Sequence, residues 1–196
     1  MKICSRFESM ETLQGAYLVH TNCADIKIYF VTDEIVRVRA SFDKELAEES
    51  YILSTTAWED RMDGLLEGER TRVAGVVPAV TEEDNMITFA TSELTLTLQK
   101  NPIGFKLYDK EGSLLYSDLE GNPFVLDSNN RVVHYNRMLE DDCFYGFGEK
   151  TGDLNKNNCF MRERATDAMG YNPKKCDTLY KHIPFYIRMA RENKKA

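Results

Sequence analysis

Residues 85–99 read NMITFATSELTLTLQ, two short runs joined by a turn. In the second run, Leu94, Leu96 and Leu98 alternate with threonines, and threonine itself favours β-structure. A period of two places successive side chains on opposite faces of a strand, so that one face is buried and the other meets water. The stretch therefore predicts an antiparallel hairpin.

The same alternation recurs on both sides of this hairpin. Further predicted strands are ADIKIYFV (24–31), EIVRVRA (34–40), GFKLYD (104–109), SLLYSD (113–118) and RVVHYNR (131–137). Asp33-Glu34 would turn the first two into a hairpin, and Gly112 supplies a turn between the next two. At least seven runs at this spacing predict an all-β, antiparallel sandwich. Residues 42–69 mix charges with few apolar anchors, so we expect an excursion at the sheet edge with a helical turn near its start.

Composition narrows the class of protein. The chain has 196 residues, enough for one domain with its own core. Its formal net charge of −7 argues against a nucleic-acid partner, and no apolar run approaches the roughly 18 residues that span a membrane. The five scattered cysteines lack a C-x-x-C pair, which predicts reduced thiols in a cytoplasmic protein. No secretory signal is visible, and we expect neither a metal nor another cofactor.

Residues 144–156, FYGFGEKTGDLNK, resemble a nucleotide loop only superficially. A P-loop places its lysine directly after a glycine, but Glu149 separates Gly148 from Lys150. The dinucleotide fingerprint fails because Thr151 stands where a third glycine is required. By the residues alone, a sharp structural turn is favoured over a binding loop, braced by an ion pair between Glu149 and Lys150. The residues expected to build this turn and the next are Tyr145, Gly146, Gly148, Glu149, Gly152 and Gly170.

Three elements follow one another in this region, at residues 145–154, 166–171 (TDAMGY) and 177–185 (DTLYKHIPF). Together they resemble the end of the amino-terminal β domain of family 31 glycoside hydrolases, the α-glucosidases and their relatives. Those proteins carry YG-x-GE-x-(S/T)G-x-L, NTDA-x-GY and (D/T)-x-LYK-x-IPF elements. The resemblance is dense over residues 143–187. Three elements in register are far more specific than one glycine-rich loop.

The resemblance implies a galactose-mutarotase-like β-supersandwich with a long ordered loop region near the C-terminus. The expected layout is a single N-terminal domain over 1–196, with sandwich strands in 1–140, a substrate-lip loop region in 141–187 and a tail in 188–196. Family members hydrolyse terminal α-glycosidic bonds with retention, using two carboxyl groups in a (β/α)8 catalytic domain. We expect that domain to be absent from this chain, and therefore no catalytic residue in it.

The resemblance also assigns a role to Asp167, the aspartate of the second element. In the family this aspartate lines the substrate pocket, and a carboxylate accepts strong hydrogen bonds from sugar hydroxyls. The alternative is that Asp167 caps the turn before Gly170, as aspartate often does. Arg164 and Ala165 stand where family members commonly have Trp-Asn, so the pocket wall is expected to differ.

Three functions follow from these features. The leading one is the N-terminal domain or fragment of an α-glucosidase-type enzyme, whose partners are an α-linked oligosaccharide and a catalytic barrel. The alternative is a stand-alone carbohydrate-binding module of β-sandwich type. A mutarotase-like enzyme ranks last, because it depends on fold analogy alone and no acid/base set stands out in the sequence.

Overall fold

The computed structural model of the chain describes residues 1–65, 70–138, 141–175 and 178–189. These residues form strands, turns and irregular segments without a helix, and so contain no helix able to span a membrane. The predicted all-β, antiparallel class is confirmed. The chain divides into two compact units, Met1–Arg137 and Met138–Ala196. The single domain over residues 1–196, with its sandwich strands ending at residue 140, stays a prediction.

The strands of the first unit build two main antiparallel sheets and two smaller ones. In chain order they are β1 (Lys2–Cys4), β2 (Phe7–Leu13), β3 (Ala16–Thr21), β4 (Asp25–Thr32), β5 (Ile35–Ser41), β6 (Thr55–Thr56), β7 (Thr71–Arg72), β8 (Ala79–Glu82), β9 (Met86–Ala90), β10 (Leu94–Lys100), β11 (Ile103–Asp109), β12 (Leu114–Ser117), β13 (Phe124–Leu126) and β14 (Val132–His134). The main sheets have the orders β2-β3-β4-β5 and β12-β11-β10-β9-β8. The smaller ones are β1-β13-β14 and a parallel pair, β6-β7.

The hydrophobic core of the first unit joins the two main sheets. Ile26, Ile28 and Phe30 of β4 share one buried cluster with residues such as Leu96 and Leu98 of β10. All five are at most 2% exposed. Fully burying one such side chain stabilises the fold by about 1.5–3 kcal/mol. The apolar side chains that recur at every second position of these strands therefore form the core that holds the two sheets together.

The predicted hairpins are present. Strands β4 and β5 pair around Asp33-Glu34, with Ile28 opposite Val38. Strands β9 and β10 pair with Leu96 opposite Phe89, and β11 pairs with β12. The last predicted run contributes only the three-residue strand β14.

The segment after β5 is attached to the edge strand β5 and extends from there over a face of the sheet. Trp58 is 9% exposed and packs with Tyr29 and Ala16, which lie on the inner strands β4 and β3. Glu48 fastens the segment to β5 by ion pairs with Arg37 (2.8 Å) and Arg39 (3.2 Å). Burial raises the pKa of Glu48, but these ion pairs outweigh it and hold the pKa below its ordinary value. The expected helical turn does not form in the described part of this segment.

A buried carboxylate links the five-stranded sheet to β14. Asp118 is 1% exposed; one oxygen accepts the Phe105 N–H at 2.9 Å, and the other lies 2.9 Å from Nε2 of His134. The Tyr116 hydroxyl also bonds to that second oxygen, and the Phe124 ring stacks on the His134 imidazole with centroids 4.5 Å apart. His134 is therefore a packing residue, in agreement with its position in a predicted strand.

The cysteines depart from expectation at one position. Cys4, Cys23 and Cys143 are free thiols, and burial raises the pKa of Cys4 to about 11. Cys159 is disulfide-bonded, to a partner outside the described residues. The expectation that all five thiols are reduced is therefore wrong, while the cytoplasmic location stays a prediction.

Candidate functional site

The second unit is built on two long strands that flank an irregular segment. Strand β15 (Cys143–Lys150) pairs antiparallel with β16 (Thr178–Met189). The predicted loop region is thus shorter than expected, because both of its ends are strands. The irregular segment that remains runs over residues 151–175, and Asp177 of the third sequence element lies outside the described residues.

Two glycines allow the strands to pair through an irregular register. The ladder shifts between Gly146 and Gly148, where φ is +116° and +75°. A Cβ built at Gly146 would lie 2.7 Å from the main-chain oxygen of Phe185, and one at Gly148 would lie 2.7 Å from that of Lys181. Real side chains do not tolerate such contacts, so both positions require glycine.

Aromatic rings cover the strand beside these glycines. Phe147 stacks on Tyr186 with centroids 5.0 Å apart, and Phe144 lies 5.7 Å from the same ring. Tyr145 pairs with Ile187 in the ladder. The motif that resembled a nucleotide loop is therefore an aromatic-covered β-bulge.

The predicted ion pair between Glu149 and Lys150 does not form, because neighbours along a strand point to opposite faces. Lys150 instead lies 3.4 Å from Glu163. Glu149 accepts the main-chain N–H of Lys181 at 3.1 Å. Each side chain thus braces a different element: Glu149 supports β16 and Lys150 the irregular segment.

Main-chain hydrogen bonds fold the irregular segment back on itself. Gly152, with φ of +81°, donates to the Pro173 carbonyl at 2.9 Å. The buried Lys156 ammonium donates to the carbonyls of Thr151 and Asp153. A buried ammonium needs such acceptors to offset its lost hydration, and here they order the loop.

Asp167 lies on the part of this segment that β16 supports. The Thr166 N–H donates to the Leu179 carbonyl at 3.1 Å, and the Thr178 hydroxyl donates to the Arg162 carbonyl at 2.9 Å. One Asp167 carboxylate oxygen accepts the Tyr180 hydroxyl at 3.0 Å. The second oxygen has no hydrogen-bond partner among the described residues.

The surroundings of Asp167 form an open cup of about 460 Å³. Its lining includes Phe160, Arg162, Arg164, Tyr171 and Asp167 itself. Phe160 is 81% exposed, and Tyr171 is 51% exposed. Arg164, which stands at a departure from the family pattern, donates through Nε to the Thr166 hydroxyl at 3.2 Å. The cup combines aromatic rings with charged and hydroxyl groups, a combination that small-molecule sites use.

The hydrogen bonds of the turn at residues 167–170 show whether the Asp167 side chain acts as a turn cap. The turn is closed by the Met169 N–H donating to the main-chain oxygen of Asp167, and Gly170 follows with φ of +77°. The side chain therefore does not cap this turn but is directed to Tyr180. The sequence did not indicate this partner, because a separation of 13 residues has no regular period.

Comparisons with known proteins agree with the fold. The chain is 30% identical over 175 residues to alpha-glucosidase 2 of Bacillus thermoamyloliquefaciens, covering 89% of this chain and 20% of that protein. It therefore spans about a fifth of the length of that relative. A Flavobacterium johnsoniae GH31 dextranase solved with glucose superposes with a TM-score of 0.76 at 23% identity, over 96% of this chain and 22% of that one. The cycloalternan-forming enzyme of Listeria monocytogenes superposes at 0.72 and 15% identity, over 95% and 16%.

A family model covers most of the chain. Residues 25–194 match the model of the glycosyl hydrolase 31 N-terminal galactose mutarotase-like domain. The match begins at β4, takes in the five-stranded sheet and includes the bulged strand β15 and the Asp167 cup. This chain therefore belongs to the family of N-terminal galactose mutarotase-like domains of glycosyl hydrolase family 31.

Proposed function

We propose that this chain serves an enzyme that hydrolyses terminal α-glycosidic bonds with retention, and that Asp167 binds hydroxyl groups of the sugar. The observation that carries the proposal is the Asp167 carboxylate, anchored by Tyr180 through one oxygen and open at the other. The names of the relatives, an alpha-glucosidase and a dextranase, favour an α-linked glucose oligosaccharide as substrate. They lend no added support to a stand-alone binding module.

The chemistry of this carboxylate suits binding. A hydrogen bond from a neutral hydroxyl to an ionised carboxylate is roughly twice as strong as one between neutral groups. The Tyr180 hydroxyl fixes the orientation of Asp167, so less side-chain entropy is lost when sugar binds. Tyr180 is thus a positioning residue.

Hydrolysis with retention requires a second set of groups. Two carboxyl groups about 5–5.5 Å apart must act as nucleophile and acid/base. We assign neither to this chain and propose that a (β/α)8 domain supplies both. Strand β16 offers a surface for such a partner, because its apolar side chains Ile183, Phe185 and Ile187 are 53, 65 and 47% exposed. Exposed apolar patches of this kind mark interaction sites.

The isolated chain provides the first test. Incubated with p-nitrophenyl α-glucoside, the purified 196-residue protein should release no p-nitrophenol above the rate of buffer. Turnover that survives Asp167→Ala would show a catalytic apparatus within the chain and would contradict the assignment.

A chimeric enzyme tests the role of Asp167. The segment of Bacillus thermoamyloliquefaciens alpha-glucosidase 2 that matches this chain is replaced by it, and kcat/KM is measured for the same glucoside. Asp167→Asn should lower kcat/KM by about tenfold to a hundredfold, the value of one or two hydrogen bonds to a charged group. Asp153→Asn, an exposed aspartate in the same segment, is the matched control. Equal activity of the two variants would rule out substrate contact by Asp167.

A further inference from the structure

We propose a second carbohydrate site, on the outer face of the five-stranded sheet, that binds a neutral oligosaccharide. A groove of about 390 Å³ lies there, lined chiefly by Thr95, Thr97 and Gln99 of β10 and by Gly104, Lys106 and Tyr108 of β11. It belongs wholly to the unit Met1–Arg137, so it is independent of Asp167.

The register of two central strands builds this groove. Thr95 lies opposite Tyr108, Thr97 opposite Lys106, and Gln99 opposite Gly104. Side chains two residues apart on one strand are separated by about 7 Å, and directly opposed Cβ atoms by about 5 Å. The two rows therefore form a strip about as long as two linked pyranose rings. Because both strands lie inside the sheet, the lining groups are held rigidly.

Gly104 shapes one end of the strip. A Cβ added there would lie 3.7 Å from the Cα of Glu120 and 3.8 Å from the side chains of Asp118 and Glu120. Its absence leaves a hollow beside Gln99. The outward side chains Thr95, Gln99 and Tyr108 are half-buried, as expected for the walls of a concave surface.

The polar groups in the groove have unused hydrogen-bonding capacity. Among the described residues, the Thr95 hydroxyl, the Gln99 amide and the Tyr108 hydroxyl have no hydrogen-bond partner, so each can donate to or accept from a ligand. The phenol ring of Tyr108 adds an apolar surface. A sugar ring matches this set because it presents C–H groups on its face and hydroxyls around its edge.

The two lysines that line the groove are already paired with carboxylates, which disfavours an anionic ligand. Lys106 pairs with Glu120 at 2.9 Å, and Lys110 pairs with Glu93 at 2.8 Å. The pKa of Lys110 is raised by its hydrogen bond to Glu93. An anionic ligand would have to displace one of these carboxylates, whereas a neutral one need not.

Calorimetric titration of the 196-residue chain with maltotriose tests the proposal, with glycerol at equal osmolality as the blank. Wild-type protein should show saturable heat in the millimolar range. Tyr108→Ala should weaken binding at least about tenfold through loss of the apolar platform. Tyr51→Ala, which removes a tyrosine 66% exposed elsewhere in the same unit, should leave binding unchanged. If Tyr108→Ala fails to melt cooperatively, Thr95→Val decides, because it keeps the side-chain volume and removes only the hydroxyl.

Three results would overturn the site: no saturable heat with wild-type protein, equal affinity in the wild type and the deciding groove variant, or binding that is lost in Asp167→Asn and kept in the groove variants. The last result would place the sugar in the second unit. None of them bears on the hydrolysis assay of the chimera, so the two proposals fail separately.

Discussion

Replacing Gly148 by alanine should separate β15 from β16. The substitution adds one methyl group at a position with φ of +75°, where that group would lie 2.7 Å from the Lys181 oxygen and 2.8 Å from the Ile183 nitrogen. Both contacts are with main-chain atoms of the paired strand, which cannot rotate away as a side chain would. The ladder must therefore open or shift.

The expected magnitude has two parts. A non-glycine residue in the left-handed region costs about 1–2 kcal/mol, and forcing extra volume into a packed site costs about 1–3 kcal/mol. Together they predict a loss of about 3 kcal/mol in the free energy that protects β16 amides from exchange. Gly170→Ala is the matched control, because Gly170 has φ of +77° but nothing within 4 Å of the added methyl. Gly170→Ala should therefore lose only about 1–2 kcal/mol, which is what the left-handed conformation costs a non-glycine residue.

Native-state amide hydrogen exchange measures this difference strand by strand. Protection of β16 should fall about 150-fold in Gly148→Ala, and by no more than about 30-fold in Gly170→Ala. Protection of β9–β11 in the first unit serves as an internal reference. If both variants lose the same protection, then the close approach of the strands does not require glycine and the account of the bulge is wrong.

Two further predictions concern the first unit. The hydrogen bond that the His20 imidazole donates to the Asp25 carboxylate is the chief cause that raises the pKa of His20 above its ordinary value. The pair therefore stabilises the fold below about pH 6.5 and loses this effect as pH rises through the folded pKa. Urea denaturation of wild type and His20→Gln should therefore show a stability gap that is larger near pH 5.5 than near pH 8.5, and an equal gap at both would contradict it. Because burial raises the pKa of Cys4 to about 11, its thiol should resist alkylation at pH 8 until urea is added; labelling of folded protein, read by peptide mass spectrometry, would argue against burial.

The strands were predictable because their pattern is local. The alternation of Leu94, Leu96 and Leu98 predicts which face of the strand is buried. In a hairpin, the partner strand lies only a few residues away along the chain. The bulge in β15 was harder to predict. The sequence shows its glycines but not the partner strand, some 35 residues away, that requires them.

In the segment after β5, the burial of side chains could not be predicted from the local sequence. Its charges indicated an exposed excursion, yet Glu48 is 5% exposed because Arg37 and Arg39 neutralise it. An ion pair between residues 11 apart leaves no periodic trace in the sequence. The buried Trp58 likewise packs against Tyr29, a residue that lies on the face of a sheet and is distant in sequence.

By itself the sequence determined the β class, the hairpins and the family, because alternation and motif order are properties of neighbouring residues. Only the tertiary structure decided that Tyr180 orients Asp167, that Glu149 and Lys150 have different partners, and that Thr95 and Tyr108 share a groove. These relations depend on how distant strands pair, and strand pairing is set by the packing of the whole sheet rather than by any local run of residues.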